Sequence, residues 1–229
     1  MHSMYRLVLI VPILILSSAA RAEPPPMAAA GVLERNGQTD CSAVLIAPDV
    51  IATAAHCVAG KKLPSQDGDY RIIFRTGAYP SHPARDFDLV QIAAHPLYAV
   101  NAARQGGGLG TDVALARLAE PVPADVARPL PPGAPIAADG SVLIATWPGG
   151  RGTRARERRC PVLAAEPTVA TLSCVVVPGE SGGAAVRRTD DGFELAAIVV
   201  ATGRSGHQPF GFAVQAKRRI IQLTAIHGF

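Results

Sequence analysis

The chain has 229 residues, 48% of them apolar and 17% charged, which excludes a disordered polypeptide and leaves room for one all-β domain or at most two small ones around a sizeable core. Gly and Pro number 22 and 20 while aromatic residues make up 5%, a balance that suits many short strands joined by turns around Val, Leu, Ile and Ala. The formal charge of +4 falls to +2 once residues 1–22 are set aside, because that segment carries Arg6 and Arg21 and no acid, so nucleic acid is excluded as the expected partner.

The first 22 residues read as an export signal: Arg6, an apolar run from Leu7 to Leu16 broken by Pro12, and small residues ending in Ala20-Arg21-Ala22 before Glu23. That run is about half the roughly 20 residues that cross a bilayer, so no membrane span is expected after signal removal, and the expected location is secreted or periplasmic. Residues 23–30 form a proline-rich lead-in, and Gly31-Val32-Leu33 opens the first strand. Ser42 to Ala47 and Val50 to Ala54 are apolar segments joined at Pro48-Asp49, which predicts a hairpin ending at Ala55-His56-Cys57. Tyr70 to Arg75, Leu89 to Ala93 and Asp112 to Leu118 have strand composition, the last with Asp112 at its head, and residues 101–111 are glycine-rich.

Glu120 to Gly133 contains five prolines and is the expected linker between two halves. Ser141 to Thr146, Cys160 to Ala164, Ala170 to Val177, Glu194 to Thr202 and Gly211 to Val214 continue the strands, the third leading straight into Ser181. Gln215 to His227 carries Ile220, Leu223 and Ile226 at helical spacing. Arg151, Arg154, Arg156, Arg158 and Arg159 form a basic cluster, read as solvated surface. Four cysteines, Cys41, Cys57, Cys160 and Cys174, allow three pairings; the local one, Cys41–Cys57 and Cys160–Cys174, closes two short loops. No Cys-x-x-Cys pair is present, so no metal site is expected.

Gly179-Glu180-Ser181-Gly182-Gly183 places a serine among three glycines after the apolar run Val175 to Val177. Glycine admits positive φ and close approach, and amides of such a turn can converge on a developing anion. Ser181 is therefore a candidate nucleophile, with the N–H groups of Gly179 and Ser181 as oxyanion donors. A serine hydroxyl needs a neighbouring base, best supplied by histidine, and a carboxylate to fix the imidazole. His56 and Asp112 stand in the most rigid settings. His82 and His207 lie in polar loops, His95 precedes a proline, His227 is near the C-terminus and His2 is within the signal, so each reads as surface or turn structure. Asp86 and Asp88 rival Asp112 but have no strand, or a shorter one, beside them.

Taken together, Thr53-Ala54-Ala55-His56-Cys57, Asp112-Val113-Ala114-Leu115 and Gly179 to Gly183 resemble the chymotrypsin/trypsin family of serine proteases, and the Cys41 spacing and His95-Pro96-Leu97-Tyr98 agree. The likeness runs from about Gly31 to the C-terminal helix and is nearest to the compact bacterial secreted branch. It implies an all-β fold of two antiparallel six-stranded β-barrels with a C-terminal helix, the first barrel at about 31–120, the second at about 134–214 and the helix at about 215–227. It implies a serine endopeptidase of protein or peptide substrates with no cofactor, in which His56 is general base, Asp112 orients it and Ser181 is acylated. It also places a pocket floor near Val175, with Ala201, Gly203 and Gly211 around it, and without an acid there a small or apolar residue is expected before the cut.

Four departures stand out. Glu180 occupies a position where the family usually has Asp, and no Arg- or Lys-preceded Ile-Val-Gly-Gly start occurs, so activation by a freed N-terminus is not implied and signal removal would suffice. Ala184 and Ala201 replace a common proline and serine. Two other readings compete. Gly179-x-Ser181-x-Gly183 fits the elbow of α/β-hydrolase esterases, although that fold needs acid and histidine after the serine and several helices. A non-catalytic binding protein on the protease fold would explain the altered neighbours of Ser181.

Overall fold

The computed structural model describes residues 24–61, 63, 71–77, 79, 83–98, 108–148 and 155–229; the signal segment, His82 and residues 101–107 lie outside them. Twelve strands form two closed antiparallel barrels, in the orders β1-β2-β3-β6-β5-β4 and β10-β11-β12-β9-β8-β7. The first comprises β1 (Ala30–Arg35), β2 (Gln38–Ala47), β3 (Val50–Thr53), β4 (Ile72–Thr76), β5 (Arg85–Ala94) and β6 (Ala114–Leu118). The second comprises β7 (Ser141–Thr146), β8 (Arg156–Ala165), β9 (Val169–Leu172), β10 (Ala184–Thr189), β11 (Gly192–Ser205) and β12 (Gln208–Gln215). A single helical turn, α1 (Ala55–Val58), follows β3, and α2 (Ala216–His227) closes the chain.

Closure removes the exposed edges that short strands would otherwise present, which suits a chain of many such strands. The interiors follow from the alternation of large apolar residues: Leu45, Ile51, Phe74, Phe87, Leu89 and Leu115 are fully buried in the first barrel, and Ile144, Leu172, Leu195 and Ile198 in the second. Disulfides join Cys41 to Cys57 and Cys160 to Cys174, across the β2–β3 hairpin with α1 and from β8 to just beyond β9. The linker is no loose tether. Leu130 N–H donates to Leu45 O at 2.9 Å and Leu195 N–H to Pro131 O at 2.9 Å, so the segment is strapped to both barrels. The lead-in is packed too, with Met27, Ala28 and Ala29 buried.

Three expectations need correction. The strand predicted over Ala170 to Val177 stops at Leu172, because Val175 O is taken by the Arg158 guanidinium at 2.9 Å and Val177 N–H by the Glu180 carboxylate at 3.0 Å. β10, the sixth strand of the second barrel, falls in a segment to which the sequence assigns no strand. On α2, the buried stripe is Ala216, Ile220 and Leu223, while Ile226 is 58% exposed. At about 100° per residue, Ile226 lies about 80° off the line of Ala216.

The stripe makes a direct prediction. Leu223→Ala should lower the free energy of unfolding by about 2–5 kcal/mol, whereas Ile226→Ala should change it by less than about 0.5 kcal/mol. Urea midpoints of the two variants give the comparison.

Candidate active site

His56 sits on α1, one residue from the disulfide, and Asp112 sits two residues ahead of β6, which pairs with β3. The β3–β6 pairing brings the two strand ends together. Asp112 Oδ2 accepts from His56 Nδ1 at 2.7 Å, and Asp112 Oδ1 accepts from the His56 backbone N–H at 2.9 Å. The carboxylate side chain is 4% exposed and the imidazole 37%. Because Nδ1–H is committed to the carboxylate, the neutral ring presents Nε2 as an acceptor on its open side.

Ser181 follows the turn Val177-Pro178-Gly179-Glu180. Glu180 N–H donates to Val177 O at 3.0 Å and Gly179 has φ +89°. Proline second and a positive-φ glycine third are the signature of a type II turn. Among the described residues, the N–H groups of Gly179 and Ser181 donate to no protein acceptor, whereas the N–H groups of Glu180, Gly182 and Gly183 all do. Ser181 Oγ itself donates to Val200 O at 3.1 Å, not to His56. The carbonyl is available because the β11–β12 register slips between Val199 and Ala201, a bulge at Val200.

The backbone of Ser181 is set against the first barrel. Ser42 N–H donates to Ser181 O at 2.7 Å, and that oxygen lies 3.9 Å from Cys57 Sγ, beside His56. Gly182, at φ +88°, has Ser42 O and Thr53 Oγ1 where a Cβ would stand, so glycine alone fits. Cys41, His56 and Cys57 hold three ligand-type atoms within 4.8 Å of one another, but the two sulfurs are bonded to each other and offer no thiolate.

Glu180 is fully buried beneath this turn. Arg158 Nη1 and Nη2 reach its two oxygens at 2.6 and 2.7 Å, Thr146 Oγ1 donates at 2.9 Å and Val177 N–H at 3.0 Å. Burial alone would raise the carboxyl pKa, but the hydrogen bonds and the charge of Arg158 outweigh it and hold the pKa below the ordinary value. Arg158 is thereby withdrawn from the solvated basic cluster in which the sequence placed it.

The other candidates separate cleanly. Asp86 and Asp88 pair with Arg75 and Arg71 on the outside of the first barrel. His207 and His227 are exposed. His95 corrects expectation: it is buried, accepts from Leu97 N–H at Nδ1 (3.2 Å), and faces Gln222 of α2 at 3.4 Å. Burial pushes its pKa down. Val175 is 41% exposed, and Gly203 and Gly211 lie on β11 and β12, where a Cβ on Gly203 would meet the Phe210 ring and one on Gly211 would meet Cys174 O and Val176.

Compared with known proteins, the chain matches a family model described as Trypsin over residues 17–220. It is similar to vitamin K-dependent protein C of Mus musculus, with 33% identity over 113 residues, covering 43% of this chain and 22% of that protein.

The Glu180–Arg158 pair yields a pH prediction. A carboxyl whose folded pKa is depressed contributes stability in full above the ordinary glutamate range, about pH 4 to 5, and loses it as pH falls through the native value. Arg158→Met should cost about 3–5 kcal/mol at neutral pH, by stranding the buried carboxylate. Adding Glu180→Gln should restore much of that loss and flatten the acid limb, measured as urea midpoint against pH.

Proposed function

This chain belongs to the trypsin family, and from that premise we propose that it is a serine endopeptidase working through an acyl-enzyme on Ser181. The observation that carries the reading is the grip of Asp112 on both the ring and the backbone of His56. That arrangement leaves Nε2 unprotonated and facing outward, ready to accept a proton.

In the proposed reaction, Ser181 Oγ leaves Val200 O by rotation about its Cα–Cβ bond and attacks the peptide carbonyl carbon. Its proton passes to His56 Nε2. The oxyanion is received by the N–H groups of Gly179 and Ser181, which have no other acceptor among the described residues. Collapse breaks the C–N bond, and the leaving amine takes the proton from His56. Water then attacks the ester, giving its proton to the same nitrogen, and the acid leaves with Ser181 restored. Asp112 keeps its two hydrogen bonds to His56 and stabilises the imidazolium in both halves.

The Glu180–Arg158 pair supports a site that assembles without a freed N-terminus, since the carboxylate under the turn already has a cation of its own. The proposed pocket is bounded by Val175, Ala201, Gly203 and Gly211, with no acid to attract Arg or Lys. Export by the first 22 residues, into the periplasm or beyond the cell, accords with two disulfides. No helix among the described residues is long and apolar enough to cross a membrane.

Residues 23–229 should react with a fluorophosphonate probe at Ser181 and cleave casein, and Ser181→Ala and His56→Ala should each lower kcat/KM by several orders of magnitude, roughly 10³-fold or more. Turnover of a short-chain ester alone would point to an esterase. Absence of labelling in a chain folded by circular dichroism would point to a binding protein. In a peptide library, cleavage should follow small or apolar residues; a profile dominated by Arg or Lys would overturn the pocket.

A further inference from the structure

Ser42, on β2, takes no part in proton transfer, yet its side chain is fully buried at the junction of the barrels. Its hydroxyl accepts from Trp147 N–H at 2.7 Å. It has one proton to give and two carbonyls in reach, Gly179 O at 2.8 Å and Trp147 O at 3.3 Å; the shorter contact takes it. The backbone N–H of the same residue donates to Ser181 O at 2.7 Å. The two residues assigned as oxyanion donors thus hang by their carbonyls from a single residue of the opposite barrel.

We propose that Ser42 is a positioning residue that sets the spacing and aim of the Gly179 and Ser181 N–H groups. The inference rests on the endopeptidase reading. Gly179 has no side chain to restrain either of its backbone torsions, and at φ +89° it occupies a region open to glycine. The peptide plane joining Gly179 to Glu180 is anchored at both ends, by Glu180 N–H on Val177 O and by Gly179 O on Ser42 Oγ. Removing the second anchor leaves the torsion after the Gly179 Cα held from one end only, by Glu180 N–H on Val177 O, and the donor N–H is attached to that same atom. Misplacement of a donor by a fraction of its bond length weakens transition-state binding far more than substrate binding.

Ser42→Ala removes the hydroxyl alone, freeing Gly179 O and also leaving Trp147 N–H without its acceptor. It should lower kcat on a peptide substrate about tenfold to a hundredfold with KM nearly unchanged. Affinity for a peptide boronate, whose tetrahedral anion occupies the same donors, should fall by the same factor, and the Glu180 amide should exchange hydrogen faster. Leu223→Ala, which is destabilised on α2 and loses no hydrogen bond to the Gly179–Ser181 turn, should keep kcat and boronate affinity within about twofold of wild type, which separates positioning from general loss of stability. A folded Ser42→Ala with wild-type kcat and boronate affinity overturns the proposal. Should that variant not fold, the wild type decides: a Glu180 amide that exchanges as fast as an exposed loop overturns it, and one protected like the core strands supports it. A wild type that neither labels with fluorophosphonate nor cleaves casein defeats the endopeptidase reading, while the exchange result still judges whether Ser42 holds the turn.

Discussion

The two barrels meet where there is room for no side chain. A Cβ on Gly182 would collide with Ser42 O and Thr53 Oγ1, and only a residue without one lets the turn of the second barrel come so near the β2–β3 hairpin of the first. Everything at the site depends on that approach. It lets Ser42 N–H reach Ser181 O, brings Ser181 beside the disulfide next to His56, and leaves Gly182 N–H to pair with Val199 O at 2.7 Å. Two rigid closed sheets can hold three distant side chains in register only if their contact is fixed to within a fraction of an ångström, and close-packed backbone achieves that better than flexible side chains.

Two buried carboxylates flank this contact, and their partners differ in kind. Glu180 is held by a guanidinium, a planar fork of donors that satisfies both its oxygens. Asp112 is held by an imidazole, whose second ring nitrogen is left as an acceptor. A fork with donors only suits a structural support; a ring with an acceptor nitrogen to spare suits the proposed proton carrier. Exchanging the two would cost the turn its two-point clamp and leave the position of His56 with no atom able to accept a proton.

The strands were legible where their signals are local: apolar segments of strand length, turn residues such as Pro48-Asp49 and the helical spacing before His227. The two barrels close through pairings distant in sequence, and they were legible only through the resemblance at His56, Asp112 and Ser181. β10 escaped because Ala184-Ala185-Val186-Arg187-Arg188-Thr189 has weak strand composition and is a strand through pairing with β7 and β11. The roles of Ser42, Arg158 and His95 escaped for a different reason. Ser42 meets Trp147 and Gly179 at separations of 105 and 137 residues, and His95 meets Gln222 at 127, so no periodicity announces the contact. Arg158 reads in the sequence as one of five neighbouring arginines, and only the fold reveals that its head turns inward to Glu180.

The position of the Ser181 hydroxyl on Val200 O does not weigh against a nucleophilic role. A net hydrogen bond of this kind is worth about 0.5–1.5 kcal/mol, which limits the population of the attacking rotamer by at most about tenfold. The chemistry itself is accelerated by a factor of about 10⁶ or more. A preference of about tenfold is small beside that, and binding a substrate carbonyl over the Gly179 and Ser181 amides offers the oxygen a more favourable course than the Val200 carbonyl does. The bulge at Val200 therefore holds the resting hydroxyl in a defined place without committing it, and in the proposed reaction reactivity is governed by the fixed geometry of the amides and of His56 on Asp112 around it.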